Sequence, residues 1–89
     1  MKEVFQTSHF KRDVKRLLKR GKNFDKLKDV VGSIADGLKL DARYKDHALG
    51  GDWVGSRDCH IEPDWVLIYR VEEDLVYLER TGSHSDLFK

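Results

Sequence analysis

The chain has 89 residues, of which 39% are hydrophobic and 37% are charged, and its formal net charge is +1. These values exclude a disordered chain and predict one small domain over residues 1–89. The single cysteine, Cys59, excludes an intramolecular disulfide, so we expect the fold to depend on its core in a reducing compartment, the cytoplasm. No apolar run reaches the roughly 20 residues that cross a membrane, and no signal-peptide pattern is present.

Positive charge is concentrated near the N-terminus. Residues 1–28 contain ten Lys and Arg residues against three acidic residues, a net of +7, so the remainder carries −6. The asymmetric electrostatic field that this charge distribution creates favours binding of the N-terminal part to a polyanion. An ordinary solvated helix face explains the pattern equally well.

The N-terminal half predicts a short strand at Lys2–Gln6 and then two helices. Thr7 or Ser8 can cap the first helix, which Gly21 ends. Its apolar face has helical spacing and consists of Phe10, Val14, Leu17 and Leu18. Its basic face is a candidate surface for docking on a polyanion: Lys11, Arg12, Lys15, Arg16, Lys19 and Arg20. Asn23 can cap the second helix, whose apolar stripe runs from Phe24 to Leu38.

The C-terminal half predicts strands. Trp53–Ile61 favours an extended segment, and Trp65–Val71 is almost wholly apolar, as in a central strand that is covered on both faces. After a turn at Glu73-Asp74, Leu75–Arg80 returns as another strand, and the tail over residues 81–89 predicts a loop with a short terminal turn. The sequence therefore predicts an α+β fold, with two N-terminal helices packed on an antiparallel sheet of three to four strands.

The predicted strands bring polar segments together at one end of the sheet. A two-residue turn at Glu73-Asp74 pairs Leu67 with Arg80, and a slip of one residue would place Arg80 on the other face. In either register Arg80 and His84 return to the end where His60 and Asp64 flank the preceding turn. We expect these side chains to form one site.

The residue types in this site suit the cleavage of RNA without a metal. Such cleavage needs a base for the ribose 2′-oxygen, an acid for the leaving 5′-oxygen and positive charge at the phosphate. Imidazole can accept and donate a proton near neutral pH. His60 and His84 are the candidate acid–base pair, and Asp64 acts as a base or orients an imidazole. Arg80 can offer two N–H groups to phosphate, and His47 either joins the site or is only part of an acidic loop.

Each candidate has a simpler explanation. Histidines beside turns are more often surface residues, and tryptophans are more often core residues than stacking platforms. Trp65 and Phe88 are nevertheless candidates for stacking an RNA base. A zinc site is not expected, because there is one cysteine and no tight ligand spacing. His9 is interpreted as a helix-start residue without a chemical role.

Three segments in this order resemble the YafQ-type toxins of the RelE/ParE superfamily of bacterial toxin–antitoxin systems. They carry the patterns DHxLxGxW within Tyr44–Trp53, RDxHIxPDWxLIY over Arg57–Tyr69 and RTGSHSxLF over Arg80–Phe88. The combination is more specific than any one pattern. The resemblance covers nearly the whole chain, loosely in the helices and closely from Tyr44 to Phe88.

The resemblance implies two helices on an antiparallel sheet and an endoribonuclease that needs neither metal nor cofactor. It implies cleavage of translated mRNA in the A site of the 70S ribosome, by attack of the 2′-hydroxyl, and inhibition by a cognate antitoxin. The positions that it marks are His47, His60, Asp64, Arg80 and His84, with Trp65 after the aspartate and Phe88 as the terminal aromatic residue. A ParE-like gyrase poison that does not cut RNA, and a plain RNA- or protein-binding module, remain the alternatives.

Overall fold

The computed structural model describes residues 1–88 as a five-stranded sheet in the order β1-β5-β4-β3-β2, with two longer helices packed against it. The elements in chain order are β1 (Glu3–Gln6), α1 (Ser8–Lys19), α2 (Phe24–Ala35), β2 (His47–Ala48), β3 (Arg57–Glu62), β4 (Trp65–Val71), β5 (Leu75–Gly82) and α3 (His84–Leu87).

The helices begin where the sequence places their caps. The Thr7 side chain accepts a hydrogen bond from the backbone N–H of Phe10, and the Asn23 side chain accepts one from Asp25. Gly21 follows α1 with a φ of 82°, a left-handed conformation that favours glycine. The predicted α+β class and both predicted long helices are confirmed.

The sheet is larger than predicted and is mixed. It has five strands instead of three or four, because His47–Ala48 adds an edge strand and β1 adds the other edge. β1 runs parallel to β5, and the remaining pairs are antiparallel. The segment predicted as extended from Trp53 is also shorter, since Gly51–Trp53 forms a 3-10 turn and the strand begins at Arg57.

A β-bulge corrects the predicted register between β4 and β5. Val71 pairs with Val76 as predicted, but the register shifts between Tyr69 and Ile68, so that Ile68 and not Leu67 faces Arg80. β5 also continues to Gly82, and a short helix follows it where a loop was expected. The last residue of the predicted tail, Lys89, lies outside the described residues.

The core lies between the helices and one face of the sheet. Phe10 and Leu17 from α1 and Leu27 from α2 are at most 3% exposed, and they belong to one cluster with residues of β3, β4 and β5. Trp65 lies in this cluster and is 1% exposed, with its Nε1–H donating to Thr81 Oγ1 at 2.9 Å. The prediction that Trp65 stacks a base is therefore wrong for this structure, since its ring is enclosed by core residues.

Among the described residues, no helix combines the length and the apolar character that crossing a membrane would require.

Candidate active site

The candidate residues occupy two rows across the sheet, which are separated by the single row of Cys59, Leu67 and Thr81. His47 pairs with Asp58, which pairs with Ile68, which in turn pairs with Arg80. Two residues further along β3, His60 pairs with Val66, which pairs with Gly82, two residues before His84. Because adjacent strands are about 4.8 Å apart, this register gathers residues that are far apart in the chain.

His60, His84 and Asp64 form a chain of polar contacts. The Nε2 atoms of His60 and His84 are 3.2 Å apart, and the rings stack with centroids 5.2 Å apart. Asp64 Oδ1 accepts from the backbone N–H of His84 at 2.9 Å and lies 2.7 Å from His84 Nδ1. A carboxylate accepts hydrogen bonds, so His84 Nδ1 carries the proton in this contact. The two Nε2 atoms can therefore share one proton, which is an arrangement for proton transfer.

The Asp64 carboxylate is set up to remain ionised. Its pKa is lowered by the hydrogen bond from the His84 backbone N–H and then by the bond from the His84 side chain. An ionised Asp64 accepts from His84 Nδ1 and so fixes the orientation of the His84 ring and the proton on Nδ1. The prediction that these two residues meet is confirmed in this structure.

His84 is placed by the first turn of α3. Ser83 caps this helix, and a capping box joins the Ser83 side chain to the Asp86 backbone N–H and the Asp86 carboxylate to the Ser83 backbone N–H. Arg20, at the end of α1, donates to Asp86 at 2.8 and 3.3 Å. Gly82 has a φ of 158°, and a Cβ there would lie 2.9 Å from Asp86 Oδ2. The close approach of Gly82 and Asp86 therefore requires glycine.

His47 has a defined proton position at the edge of the site. Its Nδ1 lies 2.9 Å from the Lys45 carbonyl oxygen, which can only accept, so Nδ1 carries a proton and the neutral ring keeps a lone pair on Nε2. Lys45 is the one non-glycine residue in the described chain with a positive φ, 50°, and this conformation belongs to the turn from which its carbonyl reaches His47.

Asp58 is a buried carboxylate beside His47 that the sequence analysis missed. It is 4% exposed, and its Oδ1 lies 3.0 Å from His47 Nδ1 without an aligned hydrogen bond. Burial raises the pKa of Asp58, while the charges of His47, His60 and His84 act in the opposite direction. All three histidines are thus close enough to interact with one carboxylate.

Arg80 is already engaged by a carboxylate. Its Nε and Nη2 atoms donate to Asp13 of α1 at 2.7 and 3.1 Å, and Asp13 is 3% exposed. Asp13 also accepts from Arg16 at 2.7 Å and from the Thr81 backbone N–H at 3.2 Å. The expected two-pronged contact with phosphate is therefore not available from the Nε edge of Arg80, and only its outer N–H groups remain.

The remaining candidates divide by exposure. Phe88 is 38% exposed, with its ring centroid 6.3 Å from that of His84, so it lies beside the site. On α1, Arg16 and Arg20 pair with Asp13 and Asp86. Four of the six basic residues proposed for docking stay exposed and form no ion pair with a residue in 1–88: Lys11, Arg12, Lys15 and Lys19.

Within residues 1–88, no group of three or more His, Cys, Asp or Glu side chains is arranged to hold a metal ion. The Cys59 thiol is fully buried in the core cluster, and burial raises its pKa to about 12. Cys59 is therefore not a reactive nucleophile in this fold.

Comparison with known proteins gives a consistent result. Residues 2–89 match a family model described as a bacterial toxin of type II toxin–antitoxin systems, YafQ. The chain is 43% identical over 88 residues to the mRNA interferase toxin YafQ of Escherichia coli K12. This alignment covers 98% of this chain and 96% of the relative.

Solved structures agree with this match. A chain in the crystal structure of the E. coli DinJ–YafQ complex has a TM-score of 0.91 and 43% identity, with all of both chains covered. A metal-bound toxin from Helicobacter pylori has a TM-score of 0.93 and 39% identity, with 99% of this chain and 100% of that chain covered.

Proposed function

Because this chain belongs to the YafQ family of bacterial type II toxin–antitoxin toxins, we propose that it is an mRNA interferase that cuts translated mRNA in the ribosomal A site. The observation that carries the proposal is the contact of Asp64, His84 and His60, with His47 paired to Asp58, two residues before His60 in β3. Such an arrangement offers an acid and a base without a metal.

His47 is the best-placed general base. The Lys45 carbonyl holds the proton on Nδ1, so the neutral ring presents the Nε2 lone pair. In the proposed reaction this nitrogen removes the proton of a ribose 2′-hydroxyl, and the 2′-oxygen attacks the adjacent phosphorus. The positive charge that develops on His47 faces the Asp58 carboxylate at 3.0 Å.

His84 is the best-placed general acid. As the P–O5′ bond breaks, the proton on His84 Nε2 passes to the 5′-oxygen, which leaves as a hydroxyl. Asp64 accepts from His84 Nδ1 and holds the ring in place for this step. His60 lies 3.2 Å from the same Nε2 and can replenish the proton or help to hold the phosphate.

Charge on the phosphate is balanced by the imidazolium groups and by the outer N–H groups of Arg80. Phe88, beside His84, supplies an exposed ring on which a base can stack. Trp65 has no place in this mechanism, because it is part of the core.

We propose that the ribosome, in the cytoplasm, is contacted by the exposed basic residues of α1. Lys11, Lys15 and Lys19 recur at four-residue spacing and so share one side of the helix. Arg20 joins the end of this helix to α3, which carries His84, so the basic surface leads to the catalytic end. A cognate antitoxin is the expected inhibitor, as the DinJ–YafQ complex of the E. coli relative suggests.

The proposal is tested by mRNA cleavage with purified, antitoxin-free protein and translating ribosomes. His84→Ala should lower the cleavage rate by about 10²–10⁴-fold, because an aligned general acid contributes about that much. His9→Ala is the matched control, since His9 is an exposed residue of α1 outside the site.

A folded His84→Ala protein that cuts as fast as the His9→Ala protein would contradict the assigned role. Absence of cleavage by the folded wild-type protein would contradict the proposed activity and favour a non-cutting toxin of the ParE kind.

A further inference from the structure

A groove of about 580 Å³ opens beside the candidate active site. It lies between α2, the turn at Ala42–Tyr44 and the turn that joins β3 to β4, and His60 lies in its wall. Its volume is within the range of sites that hold small ligands, about 300–1,000 Å³. A ligand in the groove would therefore be next to the reacting groups.

The groove offers two unpaired cations. Arg43 and Lys45 line it, are exposed and form no ion pair with any residue from 1 to 88. Glu62, an acidic residue of the lining, accepts from Lys22 and Lys26 at 2.8 Å each, and these bonds lower its pKa. The charge of Glu62 is thus already balanced, and Asp29 on the α2 side is the other carboxylate of the lining.

An aromatic ring lies beside these cations. The Arg43 guanidinium carbon is 4.8 Å from the Tyr44 ring centroid, and Arg43 Nη2 donates to the Tyr44 hydroxyl at 2.9 Å. Tyr44 also packs against the core cluster, which fixes the ring. A cation paired with a fixed aromatic ring is a combination that recognises nucleotides, through phosphate contacts and stacking.

One backbone turn connects the groove to the active site. Asp41 Oδ1 accepts from the Arg43 backbone N–H at 3.0 Å and starts the turn, and Lys45 ends it in the left-handed conformation. The Lys45 carbonyl then accepts from His47 Nδ1. The turn that orients His47 therefore also carries Arg43 and Lys45 into the groove.

We infer that this groove is a subsite for the RNA nucleotide that flanks the cleaved bond. Arg43 and Lys45 contact a phosphate next to the scissile one, and the base of that nucleotide lies against Tyr44 and Arg43. The inference rests on the proposed function, since it places the RNA by the position of His60.

The test combines a change in the protein with a change in the RNA. Ribosome-bound mRNAs carry one uncharged methylphosphonate, either one position before or one position after the scissile phosphate. Each is cut by the wild-type protein, by the double variant Arg43→Gln/Lys45→Gln, and by the control Lys28→Gln/Lys39→Gln, which removes two exposed lysines outside the groove.

We expect the methylphosphonate at one of the two positions to lower wild-type and control cleavage about tenfold, the loss of one charge-assisted contact. The groove variant should cut unmodified mRNA about tenfold more slowly and lose nothing further with the methylphosphonate. Should the double variant fail to fold, Lys45→Gln alone gives the same comparison.

Two results would overturn the inference while leaving the proposed function intact. Equal cleavage by the groove and control variants would show that the groove holds no RNA. If the methylphosphonate slows the groove variant by the same factor as it slows the wild type, Arg43 and Lys45 do not contact that phosphate. They would then contact something else, such as the ribosome. If the wild-type protein cuts no mRNA at all, the proposed function fails and the inference fails with it.

Discussion

Asp58 lies in a buried environment that disfavours its negative charge. Its carboxylate is 4% exposed, and Oδ1 has no aligned hydrogen bond, although His47 Nδ1 is 3.0 Å away. Burial of a charge costs stability unless the charge is paired and hydrogen-bonded. In the proposed mechanism its use is to stabilise the imidazolium that forms when His47 takes a proton.

Asp58→Asn should therefore separate stability from activity. Burial raises the pKa of Asp58 above its unfolded value of about 3.9, so the stability that its protonated form contributes is lost as pH rises through the folded pKa. The asparagine variant should be at least as stable as wild type at pH 7, with that advantage declining as pH falls through the folded pKa and absent below the unfolded pKa of about 3.9. It should cut mRNA about tenfold more slowly.

The stability difference is measured by urea unfolding at pH 7 and at a pH below the unfolded pKa of about 3.9. The cleavage rate is measured in the ribosomal cleavage assay. Asp52→Asn, at an exposed acidic residue in the same half of the chain, serves as the control and should change neither property. Unchanged cleavage by Asp58→Asn would remove Asp58 from the mechanism.

Sequence reasoning finds residues in polar segments more readily than residues whose role depends on burial. His47, His60 and His84 stand in such segments, and the sequence alone indicates them as site residues. Asp58 was missed because a single carboxylate in a strand resembles a surface residue until its partner strands are known. Trp65 was misassigned because its place beside Asp64 suggested the site, whereas the alternation of β4 puts it with the core residue Leu67.

At the scale of elements, α3 depends on its surroundings. A helix of four residues does not form alone, because helix nucleation is unfavourable. The capping box at Ser83 and the ion pair between Arg20 and Asp86 hold this turn against the end of α1. The position of His84 is therefore set by contacts that are distant in sequence.

Asp86→Asn should destabilise the protein in a pH-dependent way. Hydrogen bonding from Arg20, and then from Ser83, holds the pKa of Asp86 well below its usual range. The stability that it contributes is present above the unfolded pKa of about 3.9 and is lost as pH falls through the folded pKa. We expect a loss of about 1 kcal/mol at pH 7, as for other helix caps, and a smaller loss near pH 2.

Chemical unfolding at the two pH values measures this effect, and Glu73→Gln, in the exposed turn between β4 and β5, is the control. A loss that is equal at both pH values would assign the effect to packing instead of charge.

The elements that the sequence predicts well are those with local determinants. The caps at Thr7 and Asn23 and the apolar run Trp65–Val71 specify both long helices and the central strand. The parallel pairing of β1 with β5 and the bulge between Ile68 and Tyr69 depend on contacts between distant segments. No local pattern indicates them, and the bulge changes which residue of β4 faces Arg80.

At the scale of the whole molecule, the basic surface of α1 leads to the end of the fold that carries the candidate active site. The N-terminal 28 residues carry the positive charge, and α1 presents it on an exposed side that ends at α3. The candidate active site groups His60 of β3 and His84 of α3 with Asp64, which precedes β4, and Arg20 joins α3 to the end of α1. A polyanion bound along α1 would thus be led to the histidines, which agrees with the proposed action on ribosome-bound mRNA.

The central claim is most directly tested by the ends of the cut RNA. A defined mRNA is incubated with the wild-type protein, with and without translating ribosomes, beside a copy with a 2′-deoxyribose at the cut nucleotide. We predict cleavage only with ribosomes, a 2′,3′-cyclic phosphate and a 5′-hydroxyl at the new ends, and no cleavage of the deoxy copy. Equal cleavage of free mRNA, or of the deoxy copy, would contradict the account.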